Sequence, residues 1–220
     1  MIRLRAVTVA KGHFAWANRT SSWYRQKELR AVQLRRTPNK DLRPREHLTE
    51  LEVEKLIKAA RDNRHGLRDA TMILIAFRHG LRVSELCGLQ WSAVEFETAT
   101  LHVRRAKGGD SATHPLLGDE TRALRALKRE ARSPFLFVSE RGAPFTTAGV
   151  ASLVERAGTE AEIGFKVHPH MLRHSTGYAL ANKGTDTRTL QAYLGHRSIQ
   201  STVRYTALAP GRFKNIWRKA

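Results

Sequence analysis

Apolar residues recur along most of the chain at the three- and four-residue spacing of an amphipathic helix. Three other segments alternate apolar and polar residues, which is the two-residue period of a β-strand. The two patterns predict helices at about 22–35, 49–65, 67–79, 119–131, 146–156, 169–183, 186–194 and 198–205, and strands at 94–96, 100–103 and 112–116. The sequence therefore predicts a mainly α-helical fold with a small three-stranded antiparallel sheet, which is an α+β class.

Local signals mark several helix ends. Thr49 and Glu52 form the Ser/Thr-x-x-Glu pattern of a capping box at a helix start. We expect the apolar face of that helix to consist of Leu51, Leu56 and Ile57. Asp119 is the expected N-cap of the helix at 119–131. The glycine pair at 108–109 predicts a hairpin turn between the last two strands.

The charge balance of the chain indicates the kind of partner that the protein binds. The chain has 220 residues, enough for one sizeable core, with 39 Lys and Arg against 20 Asp and Glu and a formal net charge of +19. Such an excess predicts a polyanionic partner, most simply double-stranded DNA. A solvated basic surface is the alternative interpretation.

Residues 1–45 are the least regular part of the chain and carry 12 basic and two acidic residues. Trp16, Trp23 and Tyr24 lie among the basic residues, a mixture that suits contact with DNA backbone or bases. A solvated arm whose helical piece packs on the main domain is the alternative. We expect a basic arm and linker at 1–45 and a main domain at 46–220.

Cysteine usage and hydropathy point to an intracellular protein. Cys87 is the only cysteine, so no disulfide can form within the chain, which fits a reducing compartment. Its apolar helical surroundings indicate a small core residue rather than a nucleophile. The longest apolar run, at 72–77, is too short to span a membrane, and the N-terminus has no secretory signal. We therefore expect a cytoplasmic, nucleoid-associated protein without membrane contact.

The segment from Lys166 to Tyr205 concentrates residues that handle phosphate. Pro169 suits the first turn of a helix, which would place His170 and Arg173 on one face three residues apart. His196 follows a Gly, and Tyr205 comes nine residues later. An arginine fork binds phosphate through two hydrogen bonds, and an imidazole donates to phosphate or moves a proton. A tyrosine hydroxyl can form a phosphate ester as a nucleophile.

Two stretches resemble the conserved boxes of the tyrosine site-specific recombinases, or phage integrase family. The segments HMLRHS, YLGHRSIQST and VRYT are similar to the second box, and HGLRVSEL at 79–86 is similar to the first. The resemblance implies the catalytic-domain fold of that family. It also implies a set of catalytic residues: Arg82, Lys107, His170, Arg173, His196 and Tyr205. Glu85 would support Arg82, three residues away on the same helix.

The resemblance implies a mechanism that needs neither a metal nor another cofactor. Tyr205 would attack a DNA phosphate and form a 3′-phosphotyrosyl link, and Lys107 would protonate the leaving 5′ oxygen. Arg82, Arg173 and His196 would stabilise the charged transition state. His170 would help to deprotonate Tyr205 or would hydrogen-bond the phosphate. The rival functions are a type IB topoisomerase and a DNA-binding regulator that has lost catalysis.

His168, His170 and His174 raise the question of a metal site, because a pair of histidines four residues apart can bind zinc. Arg173 would repel a cation, and no acidic or cysteine ligand follows. We therefore expect no metal, and we expect His174 to be a buried hydrogen-bonding residue that supports the site.

The resemblance also implies partners. Forty-five residues cannot hold the separate core-binding domain of full-length members, so the chain is similar to short members such as fimbrial-switch invertases and plasmid-borne recombinases. The helix at 146–156 is a candidate for DNA groove contact. From about residue 207 the chain forms a basic tail that carries Phe213, Ile216 and Trp217. We expect this tail to dock on a neighbouring subunit, giving a homodimer to homotetramer on DNA, with docking on its own domain as the alternative.

Overall fold

A computed structural model describes residues 45–106 and 110–207. The described residues form eight α-helices: α1 (Glu50–Arg61), α2 (Gly66–Arg78), α3 (Val83–Cys87), α4 (Gly118–Arg129), α5 (Thr147–Glu160), α6 (Pro169–Asn182), α7 (Thr187–Leu194) and α8 (Gln200–Ala207). They also form three strands: β1 (Val94–Glu95), β2 (Thr100–Val103) and β3 (Ala112–Pro115). The predicted mainly α-helical fold with a small sheet is confirmed. The predicted helix at 22–35, the tip of the hairpin with Lys107, and the tail from residue 208 lie outside the described residues.

The three strands form one antiparallel sheet in the order β1-β2-β3. Leu101 on β2 lies opposite Val94 on β1 and opposite His114 on β3. Along β2 the burial alternates, with Leu101 and Val103 buried and His102 exposed, because successive side chains of a strand point to opposite faces. This alternation continues beyond β2 and determines which residues after Val103 point inward.

The main core surrounds α2, which packs against α1, α4 and α6. Met72, Ile73 and Ile75 are each at most 1% exposed, as expected for a helix with apolar residues on several faces. A second, smaller cluster joins α6, α7 and α8 through Leu190, Leu194 and Tyr205. The carboxyl end of α2 at His79 and the C-cap of α7 at Gly195 both lie at the candidate site described below.

The predicted apolar face of α1 is wrong in one position. Leu51 is 71% exposed, whereas Val53, Leu56 and Ala60 are buried. At 100° per residue, Leu51 lies about 200° from Val53 on the helical wheel and therefore faces solvent. The capping box of Thr49 and Glu52 is confirmed.

The end of α1 comes earlier than predicted, at Arg61 instead of about residue 65. The chain then reverses so tightly that a Cβ on Gly66 would lie 1.8 Å from the Arg61 carbonyl oxygen. Only a glycine permits this approach, so Gly66 begins α2 rather than ending α1.

Two further helix boundaries differ from the prediction. Leu117, not Asp119, is the N-cap of α4, and Asp119 instead binds both terminal nitrogens of Arg78 at 2.7 Å. The carboxylate of Glu120 accepts from the Leu117 N–H at 2.8 Å and takes the capping role. The helix predicted at 146–156 continues to Glu160, with Thr146 as its cap. Within the described ranges, no helix is both long and apolar enough to cross a membrane.

Candidate active site

Arg173 ties together three distant parts of the chain. It lies in the second turn of α6, which begins with Pro169 at its first position, and only 2% of the residue is exposed. Its guanidinium donates through Nη1 to the carbonyl of Gly80 and through Nη2 to that of Leu194 at 2.7 Å. Gly80 is two residues before Arg82, and Leu194 is two residues before His196, so these bonds bring three predicted site residues together.

Arg82 is oriented by Glu85, as the sequence predicts for residues three apart on a helix. The Arg82 N–H donates to Glu85 Oε2 at 2.9 Å, and Arg82 Nη1 donates to Glu85 Oε1 at 2.6 Å. The Glu85 side chain is 2% exposed, but that of Arg82 is 27% exposed. Arg82 therefore has a fixed stem and a guanidinium that solvent or a ligand can reach.

A third arginine, Arg105, which was not among the predicted site residues, lies beneath this pair. Its side chain is 0% exposed, and its Nη1 donates to Glu85 Oε2 at 3.0 Å. Leu101 and Val103 point inward from β2, and Arg105 continues the same two-residue alternation, so it points inward as well. That alternation was the signal that could have identified Arg105 as a buried residue.

The positive charges of three guanidinium groups at this site exceed the negative charge that lies next to them. Arg82, Arg105 and Arg173 lie around the Glu85 carboxylate, so positive charge is in excess there. Burial, followed by repulsion from Arg82 and Arg105, lowers the pKa of Arg173 to about 10. A bound anion would relieve this repulsion, and a phosphate with its non-bridging oxygens matches the arginine fork.

His196 follows Gly195, the C-cap of α7, which adopts a left-handed conformation at φ +62°. Its Nδ1 lies 2.8 Å from Thr202 Oγ1, which orients the ring. Burial, with Arg173 next, lowers the pKa of His196 to about 4, so the imidazole is neutral at neutral pH. A neutral imidazole can still donate one hydrogen bond to a phosphate oxygen.

Tyr205 on α8 is 2% exposed, and its hydroxyl lies 2.8 Å from Nδ1 of His174. Its ring packs on Gly177, where an added Cβ would lie 2.8 Å from three ring atoms. Burial raises the pKa of Tyr205, and burial lowers that of His174 to about 3, so both are neutral at neutral pH. His174 is thus a buried hydrogen-bonding residue next to the phenol.

The structure brings together most of the residues that the sequence singled out. Arg173 bonds the carbonyls of Gly80 and Leu194, which lie two residues before Arg82 and His196, and the Tyr205 ring stacks against that of His196 at a centroid distance of 6.3 Å. His170 is exposed, with its ring 4.4 Å from that of His174 in an edge-on arrangement. Lys107 lies outside the described residues.

The described residues can also be compared with the ligand sets of metal sites and with the surroundings of reactive thiols. No group of three or more His, Cys, Asp or Glu residues in the described ranges could hold a metal ion. Cys87 is partly buried, and burial raises the pKa of its thiol, which disfavours the reactive thiolate.

Comparison with known proteins identifies the family. Residues 46–212 match the Phage integrase family. The chain is 42% identical over 186 residues to the type 1 fimbriae regulatory protein FimB of Escherichia coli K12, covering 82% of this chain and 93% of FimB. It is 37% identical to the tyrosine recombinase XerA of Pyrococcus furiosus, covering 79% of this chain and 61% of XerA.

A solved structure has the same fold. The XerH site-specific recombinase bound to a palindromic difH substrate superposes with a TM-score of 0.66 at 26% identity, covering 79% of this chain and 53% of that chain. This chain thus spans about half of the length of that longer protein. The chain therefore belongs to the phage integrase family and is a tyrosine recombinase, an enzyme that recombines DNA at specific sites by cleaving and rejoining its strands.

Proposed function

We propose that Tyr205 is the nucleophile of this recombinase and that Arg82, Arg173 and His196 bind the scissile phosphate. The Tyr205 oxygen forms a bond to phosphorus while the bond to the 5′ oxygen breaks, which leaves a 3′-phosphotyrosyl link and a 5′ hydroxyl. Lys107 supplies the proton to the leaving oxygen. The ester conserves the bond energy, so a 5′ hydroxyl from a second duplex can attack it and exchange strands.

One observation carries this proposal: Arg173 hydrogen-bonds the carbonyls of both Gly80 and Leu194. Those bonds join segments that are more than 100 residues apart in sequence. The segments meet at a place where positive charge is in excess and where a buried tyrosine lies nearby. A protein that only bound DNA would gain from exposed basic residues but not from a buried phenol that bonds to His174 and stacks on His196, close to the charge of Arg173.

Proton removal from Tyr205 is assigned to His174 in this proposal, with His170 as the phosphate ligand. The Tyr205 hydroxyl lies 2.8 Å from Nδ1 of His174, so this nitrogen is positioned to accept the proton as the phenol bonds to phosphorus. His170 is exposed and its ring lies edge-on against that of His174, so we place it where it can contact a bound phosphate.

We propose DNA inversion as the biological reaction. The relative matched over 93% of its length is a regulatory protein, and FimE, another regulatory protein of type 1 fimbriae, is 40% identical over 92% of its length. Regulation by recombination needs a reversible change that keeps the segment in the chromosome, and inversion meets that need whereas excision does not. The protein acts in the cytoplasm on DNA of the nucleoid.

We also propose that residues 46–220 form the catalytic domain, that residues 1–45 contact DNA, and that the tail from about 207 docks on a second copy.

A cavity of about 660 Å³ lies between α1, α2, α4 and α6, with Val53, Ile57, Phe77 and Leu180 among its apolar lining. Four carboxylates and four basic side chains also line it, so it is electrically balanced on a chain of net charge +19. This balance makes it a suitable acceptor for the basic, apolar tail, and removal of residues 208–220 should abolish assembly on DNA in light scattering.

The experiment that tests the function uses DNA recovered from the covalent intermediate. Two copies of the recovered site are placed in inverted orientation on a supercoiled plasmid and incubated with the wild type or with Tyr205→Phe. Inverted plasmid from the wild type alone supports the proposal. Plasmid that is only relaxed would indicate a topoisomerase, and unchanged plasmid would indicate a DNA-binding regulator.

A further inference from the structure

Arg105 is buried and bonds to three of the segments that contribute to the phosphate site. Its Nη2 donates to the carbonyl of His79 at 3.1 Å and to that of Tyr193. Its Nη1 donates to the carbonyl of Gly80 at 3.4 Å and to Glu85 Oε2 at 3.0 Å. These acceptors lie at the end of α2, on α3 and near the end of α7.

The carbonyl of Gly80 is shared between Arg105 and Arg173, and the carboxylate of Glu85 is shared between Arg105 and Arg82. Each arginine that we place on the phosphate therefore has one acceptor in common with Arg105. Loss of the Arg105 guanidinium would free both acceptors to move, and with them the buried guanidinium of Arg173 and the partly exposed guanidinium of Arg82.

The aliphatic stem of Arg105 also packs directly against the turn that carries His196. A Cβ on Gly195 would lie 2.5 Å from Arg105 Cγ and 2.9 Å from Cδ, so the backbone of the turn lies directly on the arginine stem. Arg105 also donates to the carbonyl of Tyr193, two residues before Gly195. Arg105 thus contacts the supports of Arg82, Arg173 and His196 together.

The cost of burying this arginine indicates that it is more than a packing residue. Its side chain is 0% exposed and shares the Glu85 carboxylate with Arg82, and its Nε is buried without a hydrogen-bond acceptor among the described residues. Burial of a guanidinium is unfavourable unless its hydrogen bonds compensate, and an apolar residue would satisfy packing alone.

We propose that Arg105 is a positioning residue for DNA cleavage, holding Arg82, Arg173 and His196 in the geometry that binds the transition state. The proposal rests on the assignment of those three residues to the phosphate. Removal of one preorganised group that stabilises a developing charge lowers rates by about 100-fold or more. Arg105 acts through several such groups, so a loss of at least about this size is expected when its guanidinium is removed.

The test compares Arg105→Lys and Arg105→Met with the matched control Arg104→Met. Arg104 is the adjacent residue and is exposed, so its change removes the same charge from the opposite face of the strand. Each protein is incubated in excess with a nicked duplex that carries the recombination site, and the rate of covalent adduct formation is measured per folded molecule. A second duplex has a methylphosphonate at the scissile position, which removes the negative charge that the arginines neutralise.

We expect both Arg105 variants to cleave the ordinary duplex about 100-fold more slowly than the wild type, while their duplex affinity changes by less than about threefold. On the methylphosphonate duplex the loss should fall below about tenfold, because there is less charge to stabilise. Arg104→Met should cleave both duplexes at nearly the wild-type rate.

Each other outcome overturns a defined part of the account. Wild-type rates for both Arg105 variants, equal losses on both duplexes, or loss of the folded state in both variants would remove the positioning role and leave Arg105 a structural residue. If the wild type formed no adduct on the ordinary duplex, the proposed function would fail, and the positioning role with it.

Discussion

Glu85→Gln is the substitution whose effect on stability follows most directly from the structure. Each oxygen of the Glu85 carboxylate accepts two hydrogen bonds, from Arg82 Nη1 and the Ala106 N–H on Oε1, and from the Arg82 N–H and Arg105 Nη1 on Oε2. Glutamine keeps the shape, but its NH₂ group would face two donors in either orientation. The substitution also removes the negative charge that pairs with two arginines.

The size of the effect follows from burial. The Glu85 and Arg105 side chains are 2% and 0% exposed, and removing one partner of a buried pair costs about 3–5 kcal/mol. Arg82 is 27% exposed, so its part is screened by solvent and the lower end of the range applies. We therefore expect a loss of about 3 kcal/mol in the free energy of unfolding, or roughly 6–12 °C in Tm for a chain of this length.

The pH dependence of the unfolding free energy shows whether the charged form of Glu85 stabilises the fold. Burial raises the pKa of Glu85, but hydrogen bonds from the N–H groups of Arg82 and Ala106 outweigh it and leave the pKa below its ordinary value. A carboxyl group whose pKa is lowered by folding stabilises the fold at pH values above its unfolded-state pKa. This stabilisation is lost as the pH falls through the folded-state pKa. The difference between wild type and variant should therefore be constant above about pH 5.5 and shrink below about pH 4.5.

Urea denaturation followed by circular dichroism at pH 7 and at pH 4 measures both quantities. Glu54→Gln on the exposed side of α1 is the matched control and should change stability by less than about 0.5 kcal/mol. If Glu85→Gln and Glu54→Gln gave the same unfolding free energy at pH 7, the buried carboxylate would not hold the arginines as described.

Three further outcomes are expected. Gly177→Ala should lower the unfolding free energy by about 1–3 kcal/mol, because the new Cβ meets the Tyr205 ring at 2.8 Å, whereas Gly164→Ala, with open space at that position, should not; urea denaturation distinguishes them. His174 and His196 have folded-state pKa values of about 3 and 4, below those of the unfolded chain, so stability should fall as the pH drops from about 7 to 5, and less steeply in His174→Asn. The logarithm of duplex affinity should decrease linearly with the logarithm of salt concentration in fluorescence anisotropy, since basic residues displace counterions; a flat dependence would exclude phosphate contacts as the main source of affinity.

Features that depend on local sequence could be predicted before the structure. The capping box of Thr49 and Glu52, the proline at the first position of α6 and the Arg82–Glu85 pair each join residues within one helical turn. The strand alternation at 100–103 is likewise local. Such signals depend on backbone geometry alone, so tertiary packing only had to be compatible with them.

Features that depend on distant contacts could not be predicted in the same way. The inward face of α1 depends on which residues meet α2, and periodicity alone did not separate Leu51 from Val53. The bond between Tyr205 and His174 joins residues 31 apart and reflects how α8 packs on α6. The role of Arg105 was hidden because an arginine beside a basic hairpin suggests surface contact, whereas its partners lie up to 88 residues away.

The central claim is that the phenol of Tyr205 attacks a DNA phosphate bound by arginine and imidazole groups from distant parts of the chain. The most direct measurement is mass spectrometry of the covalent complex trapped on a nicked duplex, after digestion of both protein and DNA. The account predicts a nucleotide linked through its 3′ phosphate to the peptide that contains Tyr205, and no adduct from Tyr205→Phe. A complex linked through another residue, or through a 5′ phosphate, would contradict the account.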